Sequence, residues 1–393
     1  MYYRPMIYLC GILALVLIPG AVRSETGVTD TEIILGSSLA LEGHASFLGT
    51  QTLHGALACI NSVNEKGGVN GRKIRIVSIN DNYDPDTCET NTKKLIDEDK
   101  VFALFSYVGT PTTVKVIPLI DAAQIPLFGV FSGAESLRQP VNKNIFNIRS
   151  SYYQETAGIV GHFWNDLGLK NIAVFHQNDA YGQAGLKGVE LALEKLGSKP
   201  VAIGTYERGT SDVTAALETI RNAKPDAVIM IGVYGPTATF VRSAKWSSFN
   251  PYFHSVSFVG AEELAKLLGV GRDSDGLIVT QVVPPPESDK PAIAEYRTLL
   301  KKSFPDDEPN FVSLEGFVNA KALVAVLEKA GRDLTRQSFR TTAESMSDVD
   351  LGIESKLTYS ATDHQAFDAV YFTIIKDGKY VEIQDWATVK RKF

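Results

Sequence analysis

The sequence predicts an α/β protein with two doubly wound, Rossmann-like lobes, and three observations support this fold class. Short apolar runs alternate with amphipathic helical segments along most of the chain, which is the pattern of parallel strands joined by crossover helices. The alternation falls into two series of about four units each, separated near 147–150. With 393 residues, the chain is also longer than a single hydrophobic core usually supports. An eight-unit barrel is the alternative fold.

The first series predicts a regular alternation of strands and helices. The glycine-rich stretch 67–71 is a turn between a helix and a strand, and Pro85 opens the next helix, because proline is tolerated in a first helical turn. The predicted elements are strands at 33–36, 73–79, 102–105 and 125–128, and helices at 49–64, 85–99 and 112–123.

The second series repeats this alternation and is followed by elements that a complete lobe does not need. Its predicted elements are helices at 154–167, 182–196, 212–223 and 238–244, and strands at 172–176, 201–206, 227–231 and 276–279. After Pro284–Pro286 come two long helices, at 290–303 and 312–329, and a final strand at 369–376. Because these follow a complete second series, we expect the chain to cross back to the first lobe.

Several crossings without a flexible linker predict two hinged lobes with a cleft between them. The predicted lobe 1 consists of 25–149 and 281–365, and lobe 2 of 150–280 and 366–393.

The charge balance excludes several classes of partner. Lys and Arg number 39 against 45 Asp and Glu, a net charge of −6, whereas nucleic acids and anionic membranes require a basic face. Three cysteines exclude a disulfide scaffold and a cysteine-built metal site. The six histidines do not fall at metal-ligand spacings, so we expect no metal and no cofactor. Cys59 and Cys88 are expected to be buried free thiols rather than a disulfide.

The first 24 residues have the layout of a cleaved secretory signal. Arg4 supplies the positive charge, Met6–Ile18 is apolar, and small residues precede Glu25. The apolar run is shorter than a membrane-spanning helix requires, although an uncleaved N-terminal anchor is the alternative. We therefore expect an exported, periplasmic protein.

Motifs for catalysis are absent from the sequence. It contains no Gly-x-Gly-x-x-Gly after a strand, no phosphate-binding loop, no His-Glu-x-x-His and no Gly-x-Ser-x-Gly. The sequence therefore predicts a binding protein rather than an enzyme, with an exported enzyme as the rival.

Segments that follow the predicted strands supply binding chemistry, since ligands of open α/β sheets lie beyond the carboxyl ends of the strands. Thr110–Thr113 begins a helix directly after a strand, where free N–H groups and hydroxyls suit a carboxylate, although Thr112 and Thr113 are equally compatible with helix capping. Ser132 and Gly133 end the following strand and offer further donors. In the second series, Tyr181 and Tyr234 follow strand ends and can cover a ligand, with packing in the core as the alternative for each ring.

Several motifs in order resemble one known family. They are Ile34–Gly36, Glu42–Gly43, Gly49, Ile60–Asn61, Gly67–Arg72, Asp81–Pro85, Asp179–Gly182 and Asp377–Gly378. Over essentially the whole mature chain the sequence resembles the Leu/Ile/Val-binding (periplasmic type I) solute-binding proteins of ABC importers. The resemblance implies two α/β lobes joined by three crossovers, a monomer, and a membrane permease as partner.

The resemblance also implies the ligand-binding residues, position by position. It places the carboxylate-gripping hydroxyl on Thr110 and the residues that line the pocket or close over the ligand on Val108, Gly109, Phe131, Ser132, Gly133, Tyr181 and Tyr234. The acid that takes the ligand's ammonium falls near Ser257.

Two departures from the family pattern leave the ligand open. The family's first-lobe disulfide would need cysteines near Tyr83 and Gly109, and neither is one. No Asp or Glu stands within 257–260; Asp179 or Glu135 could substitute, although each is equally compatible with a solvated loop acid or a helix cap. A branched-chain or related amino acid, an aromatic or other non-amino carboxylate, and an amide therefore stay open as ligands. Transport and sensing for a chemoreceptor or kinase are both compatible with the sequence.

Overall fold

The computed structural model describes residues 1–2 and 25–390. The predicted signal peptide at 1–24 therefore lies outside the described residues except for Met1 and Tyr2. Within the described part of the chain, no helix is both long and apolar enough to cross a membrane.

The first sheet has five strands, all parallel, in the order β2-β1-β3-β4-β5. The strands are β1 Glu32–Leu39, β2 Lys73–Asn80, β3 Ala103–Phe105, β4 Leu127–Phe128 and β5 Ile145–Phe146. The helices that connect them are α1 Ser46–Glu65, α2 Pro85–Asp97 and α3 Thr110–Ala123. The sequence predicts these helices and strands with bounds that differ by a few residues, but it misses β5.

The second sheet has seven strands in the order β14-β13-β10-β9-β8-β6-β7. The strands are β6 Ile172–Gln177, β7 Ile203–Tyr206, β8 Ala227–Ile231, β9 Tyr252–Ser255, β10 Ile278–Gln281, β13 Tyr371–Lys376 and β14 Lys379–Glu382. Its helices are α4 Tyr152–Asn165, α5 Ala180–Glu194, α6 Thr214–Asn222, α7 Tyr234–Trp246 and α8 Ala261–Leu268. β6 to β10 are parallel to one another.

The far edge of the second sheet departs from the parallel arrangement that the sequence predicts. β13 is antiparallel to β10, and β14 is antiparallel to β13. Asp377 and Gly378, with φ of 50° and 74°, connect the last two strands in the conformation typical of two-residue hairpins. β13 enters this sheet from the first lobe without a crossover helix, so it is free to run in the opposite direction.

The chain passes between the two sheets three times, through what we call the hinge segments, at 147–151, 282–290 and 358–370. Between the second and third lie α9 Pro291–Ser303, α10 Phe311–Ala330, α11 Arg336–Glu344, β11 Val349–Asp350 and β12 Lys356–Leu357. α9 and α10 pack against α1, which returns this part of the chain to the first lobe. Two separate open sheets replace the alternative barrel, and the detailed lobe limits stay a proposal.

The two cysteines among the described residues are free and buried, as the sequence predicts. Cys59 lies on α1 and Cys88 on α2. Burial raises the pKa of Cys59 to about 12, so this thiol is protonated and unreactive at neutral pH.

Candidate functional site

The candidate site lies where the carboxyl ends of the two parallel sheets face each other. Phe258, which follows β9, is the ring at its centre. Its centroid lies 5.6 Å from Phe131 and 6.0 Å from Tyr83 of the first lobe, and 4.6 Å from Tyr181 of the second. All four rings are essentially inaccessible to solvent. The two lobes are therefore in contact across the cleft in this structure.

The first lobe contributes a pair of buried hydroxyls. The Oγ1 atom of Thr110, the first residue of α3, lies 2.8 Å from Oγ of Ser132. Val108 pairs with Phe131 as a parallel bridge beyond β3 and β4, and this pairing brings the two hydroxyls together. Because one hydroxyl hydrogen suffices for their mutual bond, the pair retains a second hydroxyl hydrogen.

Two glycines of the predicted site allow rings to lie against the backbone. Gly109 has φ of 102°, and a Cβ there would fall 2.2 Å from Cε2 of Tyr83. A Cβ on Gly133 would fall 2.6 Å from Cδ1 of Tyr152. Any larger residue would displace these rings. The resemblance expects a disulfide near Tyr83 and Gly109. In this protein the ring of Tyr83 packs against the backbone of Gly109 instead.

Tyr181 and Tyr234 of the second lobe occupy different parts of the cleft. The Tyr181 hydroxyl donates to the carbonyl of Gly232 at 3.3 Å, and its ring lies 5.4 Å from Tyr152. Tyr234 instead meets Phe47 of the first lobe edge-on at 6.2 Å, and its hydroxyl accepts from the Phe47 amide at 3.4 Å. Tyr181 belongs to the ring cluster, whereas Tyr234 joins the two lobes.

Arg149 is the main residue of the site that sequence reasoning missed. It lies in the first hinge segment, is 1% exposed, and places its guanidinium over the rings of Phe131 at 5.3 Å and Tyr152 at 5.7 Å. It forms ion pairs with Glu155 of α4 at 3.1 Å and with Glu315 of α10 at 3.4 Å. Burial disfavours its charge, but these two carboxylates outweigh burial and raise the pKa of Arg149. Its Nε has no hydrogen-bond partner among the described residues.

Glu155 binds the position at which the resemblance expects an acid. Its Oε2 accepts from the Ser257 amide at 2.8 Å and from Oγ1 of Thr280 at 2.5 Å, and its Oε1 accepts from Oγ of Ser257 at 2.9 Å. Nη2 of Arg149 also donates to Oγ of Ser257. A carboxylate is therefore present beside Ser257, but it comes from α4 and is fully bonded to the protein.

The two acids suggested as substitutes lie elsewhere. Asp179 caps α5, since one of its oxygens accepts from the amides of Tyr181 and Gly182, and the other from Nε2 of Gln177 at 2.6 Å. Glu135 begins a short 3₁₀ helix after β4. Neither forms a hydrogen bond with Ser257 in the part of the chain that the structure describes, whereas Glu155 does.

Arg138 adds a second buried guanidinium beside the hydroxyl pair. It donates to the carbonyls of Ser132 at 3.2 Å, Ala134 at 3.0 Å and Arg149 at 2.9 Å. Burial, together with the neighbouring charge of Arg149, lowers the pKa of Arg138 to about 10. Arg138, Arg149, Glu155 and Glu315 form what we call the buried charge cluster.

The sequence carries weak signals for the missed residues. Arg149 stands in the join between the two series, and Glu315 interrupts the apolar face of the helix predicted at 312–329. A charge in such a place is expected to be paired, but its partners come from distant segments that only the fold brings together. Among the described residues, no group of three or more His, Cys, Asp or Glu side chains is arranged to hold a metal ion.

With this geometry established, comparison with known proteins decides the family. A periplasmic binding protein family model matches residues 32–379. The chain belongs to the periplasmic binding protein family. The match covers all three hinge segments and every strand of both sheets except most of β14.

Individual periplasmic binding proteins agree with this assignment. The chain is 25% identical over 325 residues to an amino acid binding protein of Pseudomonas aeruginosa, covering 82% of this chain and 84% of that protein. It is 23% identical over 328 residues to the Leu/Ile/Val-binding protein homolog 7 of Brucella abortus, covering 79% and 80%. The crystal structure of a possible leucine/isoleucine/valine-binding protein from Rhodopirellula baltica superposes with a TM-score of 0.87 at 34% identity, covering 93% of this chain and 99% of that one. The predicted fold class and the predicted resemblance are both confirmed.

Proposed function

We propose that this periplasmic binding protein is the solute receptor of an ABC importer and closes on a small carboxylate-bearing molecule. It is exported through a signal peptide cleaved before Glu25, works as a monomer, and delivers its solute to a membrane permease. The relatives described above, whose names refer to amino acids, support a small carboxylate as the ligand class.

The observation that carries the proposal is the hydroxyl pair of Thr110 and Ser132. The two side chains are buried at the carboxyl ends of neighbouring parallel strands, beside the N-terminus of α3. Hydroxyl donors and free helix N–H groups together favour an anionic oxygen. Rings of the second lobe lie opposite them, so a ligand held by the hydroxyls also contacts the other lobe.

Hinge closure supplies the mechanism. Ligand contacts to both lobes offset the cost of bringing the lobes together and shift the population from open to closed. In the described structure, Tyr234 contacts Phe47, and Nε2 of Gln177 lies 3.5 Å from the Tyr83 hydroxyl. These interlobe contacts are the ones that the closed state gains.

A thermal-shift panel on protein stripped of ligand by unfolding and refolding tests the proposal. The panel contains amino acids, non-amino carboxylates, amides and, as a control, neutral sugars. A ligand at about 100 times its Kd adds about 2.7 kcal/mol to the stability of the folded state, so at least one carboxylate should raise the Tm by several degrees. A panel in which no carboxylate shifts the Tm, or in which a sugar does, contradicts the proposal.

A further inference from the structure

We propose that Arg149 occupies the place of the ligand's ammonium group, so that the site accepts a carboxylate with no amino group beside it. This inference rests on the proposed function and names its ligand class. It follows from which polar atoms of the buried site are already bonded and which are not.

The carboxylate nearest to Ser257 has no capacity left for an ammonium. Glu155 accepts four hydrogen bonds, two at each oxygen, from Arg149, the side chain and amide of Ser257, and Thr280. A carboxylate offers about four lone-pair positions. An incoming ammonium would have to displace these donors and would lie beside the guanidinium of Arg149, a like charge.

Two buried polar groups of the site can donate a hydrogen bond and lack a partner of good geometry among the described residues. They are Nε of Arg149 and the hydroxyl of Tyr152, and both residues are 1% exposed or less. The guanidinium carbon of Arg149 lies 5.7 Å from the centroid of the Tyr152 ring, so the two side chains belong to one part of the site. An unpaired buried donor costs free energy that a ligand acceptor removes, and a ligand carboxylate has acceptors only.

The balance of charges in the buried charge cluster depends on the protonation of Glu315. Glu315 is the cluster's other acid, and it faces Arg149 from α10, with Glu155 and Arg138 as the other charged groups near it. Burial raises the pKa of Glu315 to about 7. With Glu315 protonated, the cluster holds the two guanidinium groups of Arg138 and Arg149 and the carboxylate of Glu155, and Glu135 is a further acid whose charge acts on Arg138. A ligand carboxylate adds a negative charge beside Arg149, whereas a ligand ammonium would add a positive one.

The rings around these donors define the rest of the ligand. Phe131, Tyr152, Tyr181 and Phe258 are buried and in mutual contact. Such a surface suits an apolar body, either aromatic or branched aliphatic. The ligand class is therefore a monocarboxylate with an apolar body.

Calorimetric titration with matched pairs of ligands tests the inference on the unaltered protein. The pairs are leucine with isocaproate and phenylalanine with hydrocinnamate, and each pair differs by the amino group alone. The deaminated member should bind at least about 100-fold more tightly, since the ammonium would be buried without a partner. If the amino acid binds as tightly as its counterpart, the inference is wrong and the proposed function stands. If no member of either pair binds but another carboxylate of the thermal-shift panel does, the inferred apolar body is wrong and the proposed function stands.

Two variants locate the effect at the free donors. Tyr152→Phe removes a hydroxyl that has no hydrogen bond of good geometry within the described residues, so it should fold normally and weaken isocaproate binding about 5- to 10-fold. Tyr107→Phe is the matched control, because its hydroxyl lies 3.0 Å from Thr92 inside the first lobe, and its affinity should be unchanged. Arg149→Lys keeps the charge but removes Nε and should weaken isocaproate binding about tenfold without improving leucine binding. Unchanged isocaproate affinity in Tyr152→Phe overturns the assignment of that donor to the ligand.

Discussion

At the scale of single residues, Thr110 differs from the other threonines of its helix in what its hydroxyl contacts. Thr112 and Thr113 donate to the backbone carbonyls of Val108 and Gly109, so their hydroxyls are used within the fold. The hydroxyl of Thr110 instead forms a hydrogen bond with the hydroxyl of Ser132. The sequence left capping and binding open for Thr112 and Thr113, and the structure favours the structural role.

Replacing Thr110 tests its role in binding. Thr110→Val keeps the side-chain shape but removes the donor, so we expect an affinity loss of about 1.5–3 kcal/mol, or ten- to a hundred-fold. Thr113→Val is the matched control, because it removes a bond of 2.7 Å to Gly109 and should lower stability while leaving affinity within about twofold. Calorimetric titration and urea unfolding separate the two effects. Equal affinity losses in both variants would contradict the account.

The residues of the site were predictable to different degrees. Resemblance placed Thr110, Ser132 and Tyr181 in one cleft, because their strand-end positions can be read along the chain. Arg149 and Glu315 could not be joined from the sequence, since 166 residues separate them. A buried ion pair has no local sequence pattern. The sequence shows each member as a charged residue in an apolar segment, but it does not indicate which residue is its partner.

Glu315 gives the protein a pH dependence with a definite sign. Its pKa is raised from 4.5 to about 7 in the folded state by burial, so the folded protein binds more protons than the unfolded chain between these values. The unfolding free energy contributed by this group therefore falls as the pH rises from about 4.5 to 7. Glu315→Gln removes this dependence.

Urea unfolding of Glu315→Gln at pH 5 and at pH 8 measures the effect. The unfolding free energy of the variant minus that of the unaltered protein should increase from pH 5 to pH 8, by up to about 3 kcal/mol. Glu218→Gln, an exposed change on α6, should show no such gain. A Glu315→Gln difference that stays constant with pH would contradict a raised pKa at this residue.

At the scale of elements, the sequence predicts the long amphipathic helices and most of the buried strands, because their periodicity extends over many residues, but it misses the four-residue strands β9 and β14. It misses β4's neighbour β5 and the pair β11 and β12, which have two residues each, too few for any periodicity to appear. It also misses α8 and α11, of eight and nine residues. The antiparallel edge of the second sheet depends on the third hinge segment and so on the topology of the whole chain.

The contact between α1 and α10 returns the chain to the first lobe and can be tested with glycine substitutions. A Cβ on Gly316 would fall 2.1 Å from the carbonyl oxygen of Thr52, whereas a Cβ on Gly161 of α4 has nothing within 4 Å. Gly316→Ala should therefore lower the unfolding free energy by about 1–3 kcal/mol, and Gly161→Ala should raise it by about 0.5–1 kcal/mol. Denaturant unfolding of the two variants gives the comparison. A stabilised Gly316→Ala would show that the helices do not approach this closely.

At the scale of the whole molecule, the proposed signal peptide predicts where the mature chain begins. Glu25, the first residue of the described domain, accepts a hydrogen bond from the Arg336 amide at 3.0 Å through its side chain. We expect the mature N-terminus at Glu25 or within a few residues of it. Intact-mass measurement on periplasmic material decides this, and a chain that retains a lipid-modified Cys10 would contradict it.

The central claim is that the two lobes close on a small carboxylate-bearing solute. Small-angle X-ray scattering before and after saturation with the best-binding carboxylate tests it most directly. Refolded, ligand-free protein should populate an open state, and its radius of gyration should fall when the carboxylate is added. Thr110→Val at the same ligand concentration should show a smaller decrease. A radius of gyration that does not change when the unaltered protein is saturated with a tightly bound carboxylate would contradict the account.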